Sequence, residues 1–190
     1  SASRTFSSCE NLMALAIQPT SAPALKTGPV PSSTAQRTSS DADASVAHAL
    51  GVAFASFAGA DRLFVARDMR PSGVELVAAF SAGVRGRGVD VVDIGLASTD
   101  LLYFASGSRG APGAMFTASH NPAQYNGIKF CLSGARPVGA DTGLAEIKRL
   151  AQEVLDGRGP APAVRPGARS EEQLLGVFAD HVVSFIDPSA

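Results

Sequence analysis

Short apolar runs alternate with amphipathic stretches over most of this chain, and this alternation constrains the fold more than any other feature. Runs short enough to be buried strands lie at 63–66, 89–94, 114–116 and 128–132. Helical spacing of apolar residues lies at 46–57, 72–84, 101–105, 144–155 and 174–185. The pattern predicts an α/β fold, a three-layer α/β/α domain around a mixed, mostly parallel sheet, with an antiparallel pair where two strands follow closely.

Several helix starts carry capping signals. Ser72 with Glu75, and Ser170 with Gln173, each match a capping box, in which side chains satisfy free N–H groups of the first helical turn. Thr99 is the expected cap of the third helix. These signals predict helices beginning near these residues.

The first 40 residues differ in composition from the rest of the chain. They are rich in Ser, Thr, Ala and Pro, Glu10 is their one acidic residue, and prolines follow the single apolar cluster at 12–17. Such a segment cannot bury enough apolar surface to fold alone. We therefore expect a disordered or non-native arm at 1–40 and one folded domain at 41–190.

Charge and cysteine content exclude several classes of protein. The net charge of −1 and the pI of about 6.3 give no electrostatic basis for binding nucleic acid. No apolar run approaches the roughly 18 residues of a membrane span. Cys9 and Cys131 cannot form a disulfide framework, and no Cys/His cluster has metal-ligand spacing. We expect a cytoplasmic protein without nucleic acid or membrane partners.

A candidate site follows the strand predicted at 114–116. Ser119 falls just past the carboxyl end of that strand, which is where ligands bind in open α/β sheets. Pro122 holds the preceding Asn121 extended, and Asn126-Gly127 predicts a tight turn before the next strand. Lys129 then returns close to the loop.

Each of these side chains also has a structural interpretation. A loop serine such as Ser119 is usually a turn or capping residue. His120 could be a surface residue or a hydrogen-bond anchor, and Lys129 could be the solvent-facing position of an alternating strand. Spacing and composition alone therefore indicate only a possible site.

The string at 117–122, Thr-Ala-Ser-His-Asn-Pro, followed by Asn-Gly-Ile-Lys at 126–129, resembles the phosphoserine loop of the phosphohexomutase superfamily, in particular the bacterial phosphomannomutases/phosphoglucomutases. The likeness extends less sharply from residue 46 to the end, through 65–73 and 93–100. It implies reversible transfer of a phosphoryl group between the 1- and 6-positions of a hexose phosphate substrate, through a bisphosphorylated sugar.

The resemblance also implies roles for individual residues. Ser119 would be the phosphoserine, His120 a neighbouring phosphate or substrate contact, Asn121 a substrate contact, and Lys129 a substrate contact and general acid/base. Mg²⁺ would be the metal cofactor, bound to a phosphoryl oxygen on Ser119 and shared with a second domain. These residues supply the charge and positioning that phosphoryl transfer requires.

Two family motifs are missing from this sequence. It contains neither the Asp-Gly-Asp-Gly-Asp-Arg metal loop nor the Tyr-Asp-x-Arg-Gly motif of relatives. The resemblance thus covers an N-terminal phosphoserine domain, the first of four. We expect it to be inactive alone, with the missing mutase domains packing against it.

Two other functions remain to be weighed. A serine hydrolase is disfavoured because the sequence around Ser119 lacks the Gly-x-Ser-x-Gly elbow. A non-catalytic phosphosugar- or partner-binding module derived from a mutase is the remaining alternative.

Overall fold

A computed structural model of the chain describes residues 15–17 and 39–186. The strands, in chain order, are β1 Leu15–Ile17, β2 Arg62–Arg67, β3 Asp90–Leu96, β4 Gly113–Phe116, β5 Asn126–Leu132, β6 Arg136–Pro137 and β7 Arg169–Glu171. The α-helices are α1 Ser39–Ala58, α2 Ser72–Gly86, α3 Thr99–Arg109, α4 Leu144–Leu155 and α5 Leu175–Val183, with a 3-10 turn at Ala140–Thr142. No helix among residues 39–186 is long and apolar enough to cross a membrane.

The strands form one mixed sheet, as the sequence predicts. Their order is β1-β5-β4-β2-β3-β7, and β6 pairs with β5. Strand β2 is parallel to β3 and β4, and β3 is parallel to β7. Strand β5 is antiparallel to β1, β4 and β6. The carboxyl ends of β2 and β4 and the start of β5 therefore share one edge of the sheet.

Helices cover both faces of the sheet, which confirms the three-layer α/β/α architecture. On one face, α1, α2 and α4 enclose a core in which the rings of Phe54, Phe80, Phe116 and Phe130 contact one another. On the other face, α3 and the segment before α5 cover a second core that includes Phe64, Leu102, Met115 and Leu174. Burial of these side chains is the main driving force holding the layers together.

The helix starts near Ser72 and Thr99 were predicted correctly, but their capping residues were not, and the helix start predicted at Ser170 is wrong. Helix α2 begins at Ser72 without a side-chain cap, and α3 is capped by Ser98, whose hydroxyl accepts a hydrogen bond from the N–H of Leu101, rather than by Thr99. Ser170 lies in β7, and α5 begins only at Leu175. Ser170 has no N-terminal helical N–H to satisfy because its backbone pairs with β3.

The tight turn expected at Asn126-Gly127 is also wrong, because both residues belong to β5. Asn126 is 2% exposed, and its amide donates to the Ser72 hydroxyl at 3.0 Å. Its side-chain oxygen accepts from the N–H of Gly127 at 2.9 Å. Both groups of the buried amide are therefore paired, and the strand conformation leaves no unsatisfied polar group at this position.

Within the predicted arm at 1–40, the structure describes only Leu15–Ile17 and the first residues of α1. Leu15–Ile17 forms an edge strand, with Leu15 opposite Ile128 of β5. The sequence did not predict this strand, and the disordered or non-native arm at 1–40 stays a prediction. The rest of the arm, including Cys9 and Glu10, lies outside the described residues.

Candidate functional site

The loop at 117–125 joins β4 to β5 across the sheet edge where β2 also ends. Thr117 is buried, and its N–H donates to the carbonyl of Gly127 at 2.9 Å, which closes the base of the loop. The Thr117 hydroxyl accepts a hydrogen bond from the N–H of Ser119 at 3.1 Å. The side chain of Ser119 is exposed beyond this anchor.

Two consecutive turns shape the rest of the loop. The N–H of Asn121 donates to the carbonyl of Ala118, and the N–H of Tyr125 donates to the carbonyl of Pro122, each at 3.0 Å. Both bonds join residues three apart, as in β-turns. The loop is therefore a folded backbone platform and not an extended connection.

Arg70, which follows β2, is the internal support of this platform. Its side chain is 9% exposed. One terminal nitrogen donates to the carbonyls of Pro122 at 2.7 Å and Tyr125 at 2.9 Å. The other donates to the carbonyls of Ser119 and Asn121, both at 2.9 Å. One guanidinium thus binds four backbone carbonyls of a single loop.

Asp68 fixes the guanidinium in turn. Its carboxylate accepts from Nε of Arg70 at 3.1 Å and from the backbone N–H of Arg70 at 3.0 Å. The N–H of Asp68 donates to the carbonyl of Phe116, the last residue of β4, at 2.9 Å. The end of β2 therefore connects the sheet edge to the loop through Asp68 and Arg70.

The backbone of Ser119 adopts a left-handed conformation, with φ of 51°. For a residue with a Cβ atom this conformation costs about 1 kcal/mol or more and persists only where the surroundings enforce it. Here the Thr117 hydroxyl holds the N–H of Ser119 and Arg70 holds its carbonyl. The conformation is therefore imposed from both sides of the residue.

His120 and Asn121 lie beside Ser119 in the same loop, as their positions in the sequence require. Both side chains are exposed, and neither has a hydrogen-bond partner among residues 39–186. Three polar side chains that can contact an anion or a sugar hydroxyl thus share one surface loop.

Lys129 lies on β5, opposite Met115 of β4. Its neighbours Ile128 and Phe130 belong to the core under α1 and α2, and Met115 to the core under α3. Because strand residues alternate between faces, Lys129 faces the α3 side, about 10 Å along the strand from Asn126. It is half-buried, and its ammonium has no hydrogen bond or ion pair within the described part of the chain.

The described residues do not form a metal site on their own. They include no group of three His, Cys, Asp or Glu side chains that could hold a metal ion. The carboxylate of Asp68, which is linked to the loop through Arg70, already forms an ion pair with that arginine. Mg²⁺ prefers several oxygen ligands in near-octahedral geometry, and the described residues contain no cluster of carboxylates that would supply three of them.

Arg70 is the residue of this site that sequence reasoning missed. The useful signal was its place in the chain, because Asp68 and Arg70 follow a buried strand as Ser119 does. Parallel strands end at the same edge of a sheet, so polar residues after two such strands should be considered together.

Comparison with known proteins identifies the family. The family model described as "Phosphoglucomutase/phosphomannomutase, alpha/beta/alpha domain I" matches residues 33–156. A phosphomannomutase of Escherichia coli is 36% identical over 143 residues, which are 75% of this chain and 31% of that protein. A phosphomannomutase sequence of Klebsiella pneumoniae is 36% identical over 138 residues, which are 72% of this chain and 85% of that sequence.

Solved structures agree with the sequence comparison. A phosphoglucomutase/phosphomannomutase family protein from Burkholderia thailandensis matches with a TM-score of 0.61 and 32% identity, over 78% of this chain and 32% of that one. A putative phosphomannomutase from Thermus thermophilus matches with a TM-score of 0.61 and 28% identity, over 76% and 32%. The chain spans only about 31% of the length of the Escherichia coli relative. It belongs to the phosphoglucomutase/phosphomannomutase family, as an α/β/α domain I.

Proposed function

We propose that this chain is the phosphoserine-bearing part of a phosphohexomutase that interconverts hexose 1-phosphates and hexose 6-phosphates. The observation that supports this most directly is Ser119, an exposed hydroxyl on a loop whose backbone is held by Arg70 and Thr117. Membership of the family supports the same reaction class. Because the chain spans 31% of its Escherichia coli relative, the proposal assigns turnover to this domain together with further domains that pack on it.

In the proposed reaction, the bond between phosphorus and Oγ of Ser119 breaks as a bond forms from phosphorus to a hexose hydroxyl oxygen. The hydroxyl proton passes to a general base, and the resulting bisphosphorylated sugar turns round. Its other phosphoryl group then returns to Oγ of Ser119: the bond from that phosphorus to the sugar oxygen breaks as the bond to Oγ forms, and the freed sugar oxygen takes the proton back from the general acid/base. Such transfers depend on in-line geometry and on neutralising negative charge, so a rigid loop is a suitable carrier.

Three further side chains have proposed roles in this reaction. Lys129 is the proposed general acid/base and a substrate contact. The support is that this residue is half-buried and that its ammonium has no partner among residues 39–186. His120 and Asn121 are proposed to contact phosphate or sugar, since their exposed polar groups lie beside Ser119. Charge on Lys129 would also favour a nearby phosphate.

Mg²⁺ is proposed as the metal of the complete enzyme, where it would neutralise phosphate charge. Residues 39–186 do not form a site for it. A phosphoryl oxygen on Ser119 would be the contact of this loop to the ion, and the protein ligands would belong to another domain. A cytoplasmic location is part of the same proposal, because the substrates are phosphorylated sugars.

The alternative is a phosphosugar- or partner-binding module without catalysis. Exposed apolar residues at the end of the described chain favour a partner surface: Leu175 is 67% exposed, Phe185 76% and Ile186 62%. Apolar patches of this kind often mark interaction sites. Missing mutase domains would also cover such a surface, so the two functions are distinguished by the chemistry of Ser119.

The test is phosphopeptide mapping of the protein purified at its natural length from its own cells, together with a mutase assay. We expect phosphate on Ser119, and loss of both the phosphate and turnover in Ser119→Ala. Ser108→Ala is the matched control, because Ser108 is an exposed serine on α3 whose hydroxyl bonds only within that helix. Full turnover with alanine at 119 would refute the proposal. Hexose phosphate binding by a wild-type protein that neither carries phosphate on Ser119 nor turns over would favour the alternative.

A further inference from the structure

We propose that Arg70 is the positioning residue that presents Ser119 for phosphoryl transfer, by turning the backbone N–H groups of the loop outward. The inference rests on the proposed function of Ser119. It concerns a residue that touches neither phosphate nor sugar and acts through the backbone of the loop.

Arg70 uses its complete donor capacity inside the protein. A guanidinium has five N–H donors in a fixed planar arrangement. Nε bonds Asp68, and the two terminal nitrogens bond the carbonyls of four loop residues: Ser119, Asn121, Pro122 and Tyr125. No donor is left for a substrate phosphate. Arg70 is therefore not a phosphate-binding arginine in this conformation.

The bonds to Arg70 also fix the direction of the peptide groups in the loop. In a trans peptide, the carbonyl of one residue and the N–H of the next point in opposite directions. The described chain contains no cis peptide bonds. The carbonyls of Ser119 and Pro122 point inward to Arg70. The N–H groups of His120 and Ala123 must therefore point away from Arg70, toward the exposed side of the loop.

These two N–H groups are free to bind a ligand. Neither the N–H of His120 nor that of Ala123 has a hydrogen-bond partner among residues 39–186. Both residues are exposed, as is Ser119. Outward backbone N–H groups carry partial positive charge and favour anions, and hydrogen bonds to charged oxygens are stronger than neutral ones. A phosphoryl group on Ser119 is such an anion.

Holding the loop requires the planar shape of the Arg70 guanidinium in addition to its positive charge. A lysine ammonium has three donors and cannot reach four carbonyls and a carboxylate in one plane. Replacing Arg70 with lysine would leave loop carbonyls unpaired, and the loop would relax to satisfy them with water. The left-handed conformation of Ser119 would then lose one of its two supports.

The test uses the protein at its natural length and a hexose 1,6-bisphosphate as phosphoryl donor. Arg70→Lys and Arg70→Ala are expected to slow phosphorylation of Ser119 roughly 100-fold, the scale of a small misplacement of a reacting group. The fall should appear mainly in kcat, with KM for the bisphosphate changed little. N-ethylguanidinium should restore much of the rate of Arg70→Ala, whereas propylammonium at the same concentration should not.

Arg85→Ala is the matched control. Arg85 on α2 also donates from its guanidinium to a backbone carbonyl, that of Gly167 at 2.7 Å, but far along the chain from the loop. We expect a lower melting temperature with an unchanged rate of Ser119 phosphorylation. Should Arg70→Ala fail to fold, Arg70→Lys still decides the question.

The possible failures are distinguishable. A wild-type protein that accepts no phosphoryl group on Ser119 overturns the proposed function, and the inference with it. A wild-type protein that does accept it, with folded Arg70→Lys reacting at the wild-type rate, overturns the inference alone. Equal rescue by propylammonium and N-ethylguanidinium would show that only charge matters, which also contradicts the proposed positioning.

Discussion

The backbone of Ser119 is held by one hydrogen bond within its loop and one from a distant part of the chain, while its side chain is exposed. Thr117 holds its N–H from within the loop, and Arg70 holds its carbonyl from the end of another strand. Glycine would adopt the same left-handed backbone at less cost, but it has no hydroxyl. The loop therefore keeps a locally strained backbone at a residue that carries an exposed hydroxyl at a fixed position.

Lys129 provides a test of the proposed acid/base chemistry. We expect Lys129→Met to lower kcat roughly 100-fold or more, because methionine keeps the apolar stem but cannot transfer a proton. Lys148→Met is the control, since Lys148 is a half-buried lysine on α4, on the opposite face of the sheet. Mutase turnover measured over a range of pH checks the prediction. Unchanged kcat in Lys129→Met would support the interpretation of Lys129 as an ordinary strand residue.

Asp43 on α1 makes stability depend on pH. Burial raises the pKa of its carboxyl above the ordinary 3.8, and the charge of Glu75 raises it further. Between pH 3.8 and the raised pKa, Asp43 keeps its proton in the folded chain but has released it in the unfolded chain. The free energy of unfolding therefore falls as the pH rises through this interval.

We expect Asp43→Asn to remove this decrease and to raise the melting temperature at neutral pH. Melting temperatures of both proteins between about pH 4 and pH 7 provide the measurement. Glu75→Gln should have a smaller effect in the same direction, because Glu75 is the second cause of the raised pKa. Parallel curves for wild type and Asp43→Asn would contradict the prediction.

Among the elements, α1 and α2 approach most closely at glycines. A Cβ added to Gly83 would overlap the backbone carbonyl of His48, and one added to Gly51 would overlap that of Phe80. Neither carbonyl can move without displacing a helix. The two helices therefore depend on hydrogen atoms at these positions for their packing distance.

We expect Gly83→Ala to lower the free energy of unfolding by about 3 kcal/mol, the upper part of the range for overpacked cores. Gly86→Ala, three residues along α2, has nothing within 4 Å of the added Cβ. It should be neutral or stabilise by about 0.5 kcal/mol through the unfolded chain. Urea denaturation of the two variants measures their free energies of unfolding. Equal free energies for Gly83→Ala and Gly86→Ala would refute the close contact assigned to Gly83.

The elements that the sequence predicted well have either an uninterrupted apolar run, as in β4, or a strong helical period of apolar residues, as in α4. The errors lie where the local preference of a short polar motif is overridden by a contact with a residue that is distant in the sequence. Asn126 favours a turn locally, but Ser72 satisfies its amide in the strand, and Ser170 favours a helix cap, but β3 pairs with it. Arg70 was missed for the same reason, since its partners lie 49 to 55 positions away in the sequence.

At the scale of the whole molecule, the segment after residue 156 lies beyond the match to the family model. Its contacts show whether it folds together with the rest of the chain. The segment is tied to the sheet by β7, which pairs with β3, and by the ion pair of Arg169 with Asp93 at 2.9 Å. Leu174 is 2% exposed in the core under α3, and the ring of Phe178 lies 5.5 Å from that of Phe104. These contacts indicate one cooperative domain.

Two adjacent leucines test this cooperativity. Leu174→Ala removes a buried side chain and should cost about 2–4 kcal/mol, whereas Leu175→Ala, at a residue 67% exposed, should change stability by less than about 0.5 kcal/mol. The measurement is urea denaturation followed by circular dichroism and by thiol labelling of buried Cys131, in a Cys9→Ser background. In one cooperative unit, Leu174→Ala shifts both transitions equally, because Cys131 on β5 is exposed only when the whole sheet opens. A segment that unfolded independently would leave the Cys131 transition of Leu174→Ala at its wild-type midpoint.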